Sequence, residues 1–129
     1  MNILTDPHNR EIADYFWEVH SSSKISIRDI METYFTYNMS MEEFAKLCGR
    51  SLSTFKNDFY SVYNTSPGKW LIQKRLDYGK FLLETTDKSI SDIAFESGFK
   101  NQSHFTRSFK ESYNKSPLKF RSAHTLTAK

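Results

Sequence analysis

Apolar residues recur along this chain at three- and four-residue intervals, the spacing of one face of an α-helix. Ile27, Ile30, Met31, Tyr34 and Phe35 predict an inward face for a helix over about residues 26–37. Met41, Phe44, Ala45 and Leu47 form a second stripe. Leu52, Phe55, Phe59 and Val62 form a third, over 52–63. Phe105 and Phe109 belong to a helix expected over about 101–113, and Ile12, Tyr15, Phe16 and Val19 to one over 7–20, which Ser21, Ser22 and Ser23 interrupt. No stretch alternates apolar and polar residues with period two, so the chain reads as all-α.

The breaks between stripes carry helix-end chemistry. Ser40 followed by Glu43 predicts a capping box, and Gly49 a left-handed stop. Ser51 can cap the third stripe, and Asn64 suits a left-handed end. Ser66 and Pro67 then open a long helix expected over 67–84, in which Trp70, Leu71, Leu76, Tyr78, Phe81 and Leu82 interleave with Gln73 and Lys74. Ser89 caps a short helix from Ile90 to Glu96, Gly98 turns the chain, Asn114 ends the next helix and Pro117 opens a last one. The tail after Ala123 is expected to fray.

These signals occur twice. Phe55, Phe59, Tyr63, Asn64, Ser66, Pro67, Lys69 and Trp70 return fifty residues later as Phe105, Phe109, Tyr113, Asn114, Ser116, Pro117, Lys119 and Phe120. The stretch 40–49 returns as 89–98, so one residue is inserted between Gly98 and Phe105. One supersecondary unit has been used twice. Each copy is a short helix, a turn at glycine and a second helix, which is the helix-turn-helix pattern, with a small alanine where the two helices cross. The expected segments are 1–23 (N-terminal extension), 24–84 (first unit with the linker helix), 85–123 (second unit) and 124–129 (tail).

Opposite the apolar stripes lie side chains suited to base edges. The first unit presents Ser53, Lys56, Asn57 and Tyr60 at i, i+3, i+4 and i+7; the second presents Ser103, Thr106, Arg107 and Lys110, with Gln102 and His104 near the helix start. Lysine and arginine pair with guanine, asparagine and glutamine with adenine, serine and threonine with either. One such stripe is an ordinary polar surface; two in register with a repeat point to DNA. An eighteen-residue linker helix spans about 27 Å, and half a helix width at each end brings the two second helices to about one DNA turn, ~34 Å. Free N–H groups where Pro67–Gly68 and Ser116–Pro117 begin helices can meet phosphates.

Charge sharpens this picture. The net charge of the 129 residues is only +3, yet residues 50–80 hold six basic and two acidic side chains and 98–129 hold seven and one, whereas 1–49 hold four and eight and 81–97 one and four. Both basic blocks begin where the second helix of a repeat begins, which favours a polyanion surface over an ordinary solvated face. An enzyme is disfavoured: His8, His20, His104 and His124 are scattered without metal spacing, and no phosphate loop or nucleophile elbow occurs. No catalytic residue, cofactor or metal is expected. The lone Cys48 reads as a buried structural thiol. No apolar run is long enough for a membrane span and no secretory signal opens the chain, so a cytoplasmic, nucleoid-associated protein is expected. The rival reading is a helical protein-interaction module, docking through Phe16, Trp17, Tyr34, Phe35 and Tyr37.

The chain resembles the DNA-binding domain of AraC/XylS-type bacterial transcription regulators over about residues 24–122. The resemblance rests on 51–56, on Ser66-Pro67-Gly68-Lys69-Trp70, on Arg75-Leu76, above all on 90–110, and on Ser116-Pro117 with Phe120-Arg121. It implies a homeodomain-like fold of about seven helices, here with an extra N-terminal helix, as two helix-turn-helix subdomains joined by a long linker helix. It also implies promoter DNA and RNA polymerase as partners, transcription activation, and a sensor or dimerisation domain upstream, for which residues 1–23 are too short. Carried over by position, Ser53, Lys56, Asn57, Gln102, Ser103 and Arg107 contact bases, and Thr106 the backbone; Tyr60, Gly68, Lys69, Arg75, Lys110 and Lys119 complete the expected backbone contacts. Gly79 stands where the family usually has alanine, at an expected cost of about 1 kcal/mol if exposed, and Asn64 and Asn114 stand where it usually has glycine.

Overall fold

The computed structural model describes residues 25–128, so the helix expected over 7–20 lies outside the described residues. The described residues form seven helices and no strand: α1 (Ile27–Tyr34), α2 (Met41–Leu47), α3 (Leu52–Tyr63), α4 (Pro67–Thr85), α5 (Ile90–Glu96), α6 (Gln102–Tyr113) and α7 (Pro117–Ala128). They divide into two compact units at Pro67–Gly68, where α4 begins. None of these helices is long and apolar enough to cross a membrane.

Local chemistry sets the helix limits. Ser40 accepts from the Glu43 N–H while Glu43 accepts from the Ser40 N–H, completing the capping box of α2. Ser26, Ser51, Ser89 and Asn101 cap α1, α3, α5 and α6 by a single bond each, the side chain accepting from the N–H three residues on. Asn64 and Asn114 end α3 and α6 at φ of 59° and 63°, and Gly49 and Gly98 follow α2 and α5 at 68° and 105°. Helix α1 stops at Tyr34, three residues before the expected end, and α7 is helical to Ala128, past the point of expected fraying.

In the first unit, α1, α2 and α3 pack against one another around Ile27, Ile30, Met31, Phe44, Ala45, Phe55 and Phe59, all buried. Tyr34 and Phe35 are only half-buried, and Val62, expected inward, is 40% exposed. Val62 lies at the edge of the stripe, three residues beyond Phe59, while its neighbour Tyr63 turns to Phe59 and Arg28. The second unit builds its core from Leu76, Leu82 and Leu83 of α4, Ile93 and Ala94 of α5, Phe99, and Phe105 and Phe109 of α6. Gly79 is buried here rather than exposed. Phe81, on the opposite side of α4, is 54% exposed.

The internal repeat extends further than the sequence alone suggests. Arg28 of α1 lies over the Tyr63 ring at 4.9 Å, and Lys80 of α4 lies over the Tyr113 ring at 5.1 Å. The residues before these cations are Ile27 and Gly79, and those two and three after them are Ile30 with Met31 and Leu82 with Leu83, all buried. The C-terminal half of α4 therefore serves the second unit as α1 serves the first.

Each unit also has an arginine that gathers loop carbonyls. Arg50 donates to the carbonyls of Ile25 (2.7 Å) and Cys48 (2.8 Å) and to the Asp58 carboxylate (2.8 Å). Arg121 donates to the carbonyls of Leu83, Thr86 and Lys88, closing the end of α4 and the loop that follows.

Candidate nucleic-acid interface

In each unit the crossing of the two helix-turn-helix helices is made possible by small residues. Ala45 and Ala94 are buried where α2 meets α3 and α5 meets α6, and the positive φ of Gly49 and Gly98 turns the chain between them. The second helix of each unit then buries its phenylalanines and leaves the opposite face to solvent.

On α3 that outer face carries Ser53, Lys56, Asn57 and Tyr60, all exposed, with Tyr60 at 58%. The sole acidic residue of α3, Asp58, is turned to Arg50, so the outer stripe carries no negative charge. On α6, Gln102, Ser103, Arg107 and Lys110 are exposed and Thr106 is half-buried. Among the described residues, no hydrogen bond or ion pair ties down the side chains of Ser53, Lys56, Asn57, Gln102, Ser103 or Arg107. Their donors and acceptors are available to a ligand.

The expected phosphate contacts have varied surroundings. Gly68, Lys69 and Lys119 are exposed in the first turns of α4 and α7. One N–H of α7 is already used, since the Lys119 N–H donates to Ser116 Oγ at 3.2 Å. Arg75 is half-buried, and desolvation lowers its guanidinium pKa from the ordinary value. His104 packs edge-on against Phe99, with ring centroids 5.2 Å apart.

Cys48 is buried and its thiol is pushed up to about 12 by desolvation, with Arg50 opposing the shift. No group of three or more metal-ligating side chains occurs among the described residues.

Two supports of the α6 face escape sequence reading. Tyr113 donates to Asp77 Oδ1 at 2.6 Å, and Gln73 Nε2 donates to the same oxygen at 2.8 Å, tying the end of α6 to α4. A Cβ on Gly79 would lie 2.6 Å from Phe105 Cε1, so α6 seats on α4 at a residue without a side chain. The recurrence of Tyr63 as Tyr113 was the one available signal for the first, and Gly79 interrupting a helix for the second.

Comparison with known proteins agrees with this architecture. A helix-turn-helix domain model matches residues 44–123, more than half of the chain. The HTH-type transcriptional regulator ExsA of Pseudomonas aeruginosa is 38% identical over 91 residues, 70% of this chain and 33% of that protein. The virulence regulon transcriptional activator VirF of Yersinia enterocolitica is 36% identical over 95 residues, 74% of this chain and 35% of that protein. The chain thus spans about a third of the length of these relatives. The DNA-binding domain of AdpA, solved in complex with a target DNA, superposes with a TM-score of 0.76 at 24% identity, covering 80% of this chain and 96% of that one. An AraC-type transcriptional regulator from Chromobacterium violaceum superposes with a TM-score of 0.65 at 26% identity, covering 76% and 88%. The chain belongs to the AraC/XylS family of helix-turn-helix transcription regulators.

Proposed function

We propose that this chain binds double-stranded promoter DNA sequence-specifically, reading bases with Ser53, Lys56 and Asn57 of α3 and Gln102, Ser103 and Arg107 of α6. The observation that carries this reading is the pair of exposed, untethered stripes of hydroxyl, amide and cationic groups on the second helices of two repeated units. Such groups match the donor and acceptor pattern of base edges in the major groove. Tyr60, Gly68, Lys69, Arg75, Thr106, Lys110 and Lys119 would grip the backbone, fixing register without reading sequence. Two different reading faces on one chain call for an asymmetric site with two boxes.

The output is transcription activation through contact with RNA polymerase beside the promoter. The names of ExsA and VirF support a regulator and an activator respectively. Their greater length supports a further sensor or dimerisation domain outside the stretch matched here.

A random-oligonucleotide selection with the purified chain, at two salt concentrations, tests the reading. Two enriched boxes about one helical turn apart are expected. Enrichment of no sequence, with binding that vanishes steeply as salt rises, would reduce the interaction to nonspecific charge attraction and overturn the proposal.

A further inference from the structure

Phe105 occupies the middle of the α6 reading segment. Gln102 and Ser103 precede it and Thr106 and Arg107 follow it, so the ring is the inward anchor of the same turns that point four side chains outward. That ring is completely buried and is flanked by Phe99 at 5.3 Å and Phe109 at 5.7 Å between centroids. Gly79 also lies against this ring. A Cβ there would come within 2.6 Å of Phe105 Cε1 and 3.0 Å of Cζ, about 0.8 Å short of ordinary contact at the nearer atom. The neighbouring Ser97 hydroxyl, 3.5 Å from the same point, is itself held by the carbonyls of Ile93 and Ala94 and does not yield space. With aromatic rings on two sides and a tethered hydroxyl nearby, close packing limits how far the ring can turn aside.

Gly79 is not explained by backbone conformation. It lies inside α4, where glycine is the poorer helix former, and its φ is not in the left-handed region. The corresponding place on α1 of the first unit holds Ile27, so the fold itself does not require glycine there. What the residue supplies is the absence of a side chain beneath α6.

We propose that Gly79 is a positioning residue for DNA reading: its bare backbone lets Phe105 seat deeply on α4, and that seat sets where Gln102, Ser103, Thr106 and Arg107 stand. This rests on the assignment of α6 as a reading helix. A methyl group at position 79 displaces the anchor, the close packing passes the shift to α6, and the outward groups leave hydrogen-bond register with the bases. The first unit, which lacks this seat, keeps its grip.

The test compares wild type, Gly79→Ala and Gly79→Ala/Phe105→Leu by footprinting on the duplex that wild type selects, with amide chemical shifts recorded in the absence of DNA. In Gly79→Ala, shifts should spread from Phe105 to the amides of Gln102, Ser103 and Arg107. Protection of the box read by α6 should weaken about tenfold or more, the other box should stay protected, and the smaller leucine should restore the lost box. Wild-type affinity and footprint in Gly79→Ala, or shifts that stop at Phe105, would overturn the proposal. So would loss of folding in both variants, since Gly79 would then serve stability alone. If wild type protects no specific site, the DNA reading fails, while the amide shifts still decide whether Gly79 positions α6.

Discussion

Arg50 and Phe99 occupy the same place in the two repeats and close the same turn by opposite chemistry. Each donates its backbone N–H to the alanine at the helix crossing, Arg50 to Ala45 at 3.0 Å and Phe99 to Ala94 at 2.9 Å. Arg50 then spends its guanidinium on Asp58 and two carbonyls, whereas Phe99 inserts its ring against Phe105. The first turn is held by charge-assisted hydrogen bonds and the second by apolar burial. Asp58→Ala should cost about 1–2 kcal/mol and loosen the first unit alone, because the Arg50 charge keeps its carbonyl partners. Phe99→Ala should cost about 3–5 kcal/mol and loosen the second unit alone. Hydrogen exchange resolved by unit checks both, without assuming that the units unfold together.

Tyr113→Phe keeps the ring that packs on Phe109 and under Lys80 but deletes the hydrogen bond to Asp77. A loss of about 1 kcal/mol in denaturant unfolding is expected, with Asp77 still reached by water and Gln73. Burial and the Asp77 bond both raise the Tyr113 phenol pKa above its ordinary value. This stabilises the fold fully below the unfolded pKa of about 10, and the contribution is lost as the pH rises beyond it. The variant should therefore show a weaker alkaline loss of stability than wild type.

Cys48 predicts an earlier alkaline effect in the first unit. Its thiol titrates near 9.0 when free and is pushed up to about 12 in the fold. The folded state therefore favours the protonated thiol, and the resulting stabilisation, complete below pH 9, is lost as the pH climbs from 9 toward 12. Cys48→Ala should flatten that part of the stability profile. A thiol reagent at pH 8 should label native protein only at the rate of unfolding, which mass spectrometry can follow.

The interface predicts two kinds of binding defect. Arg107→Ala should relax preference at one base position at a cost of about 1–3 kcal/mol, and Lys56→Ala likewise in the other box. Lys119→Ala should weaken all sequences alike and reduce the salt slope by about one unit. Arg107→Glu with Lys56→Glu should abolish specific binding while the circular dichroism stays unchanged. Unaltered affinity in that double variant would remove α3 and α6 as readers.

Asn64 and Asn114 hold left-handed backbone at φ of 59° and 63°. Alanine at either position should cost about 1 kcal/mol, whereas glycine should be tolerated. Thermal melting of the four single variants distinguishes this from a side-chain role, in which glycine and alanine would be equally harmful.

The helices and several of their starts were legible in the linear chain, because a cap is a bond between residues three apart, as between Ser40 and Glu43 or Ser89 and Asp92; the ends of α1 and α7 were not. The duplication was legible too, and with it the outward stripes, since a helix that buries every Phe on one side must present Lys56, Asn57 and Arg107 on the other. Burial at the edges of those stripes was not legible. Val62 satisfies the helical period yet is left 40% exposed, and Gly79 looks like a weak point of α4 until Phe105, twenty-six positions later, is packed upon it. The bond between Asp77 and Tyr113 likewise spans 36 positions. Periodicity specifies which side of a helix turns inward. How deeply each residue is covered, and what a missing side chain makes room for, depends on atoms that only folding brings together.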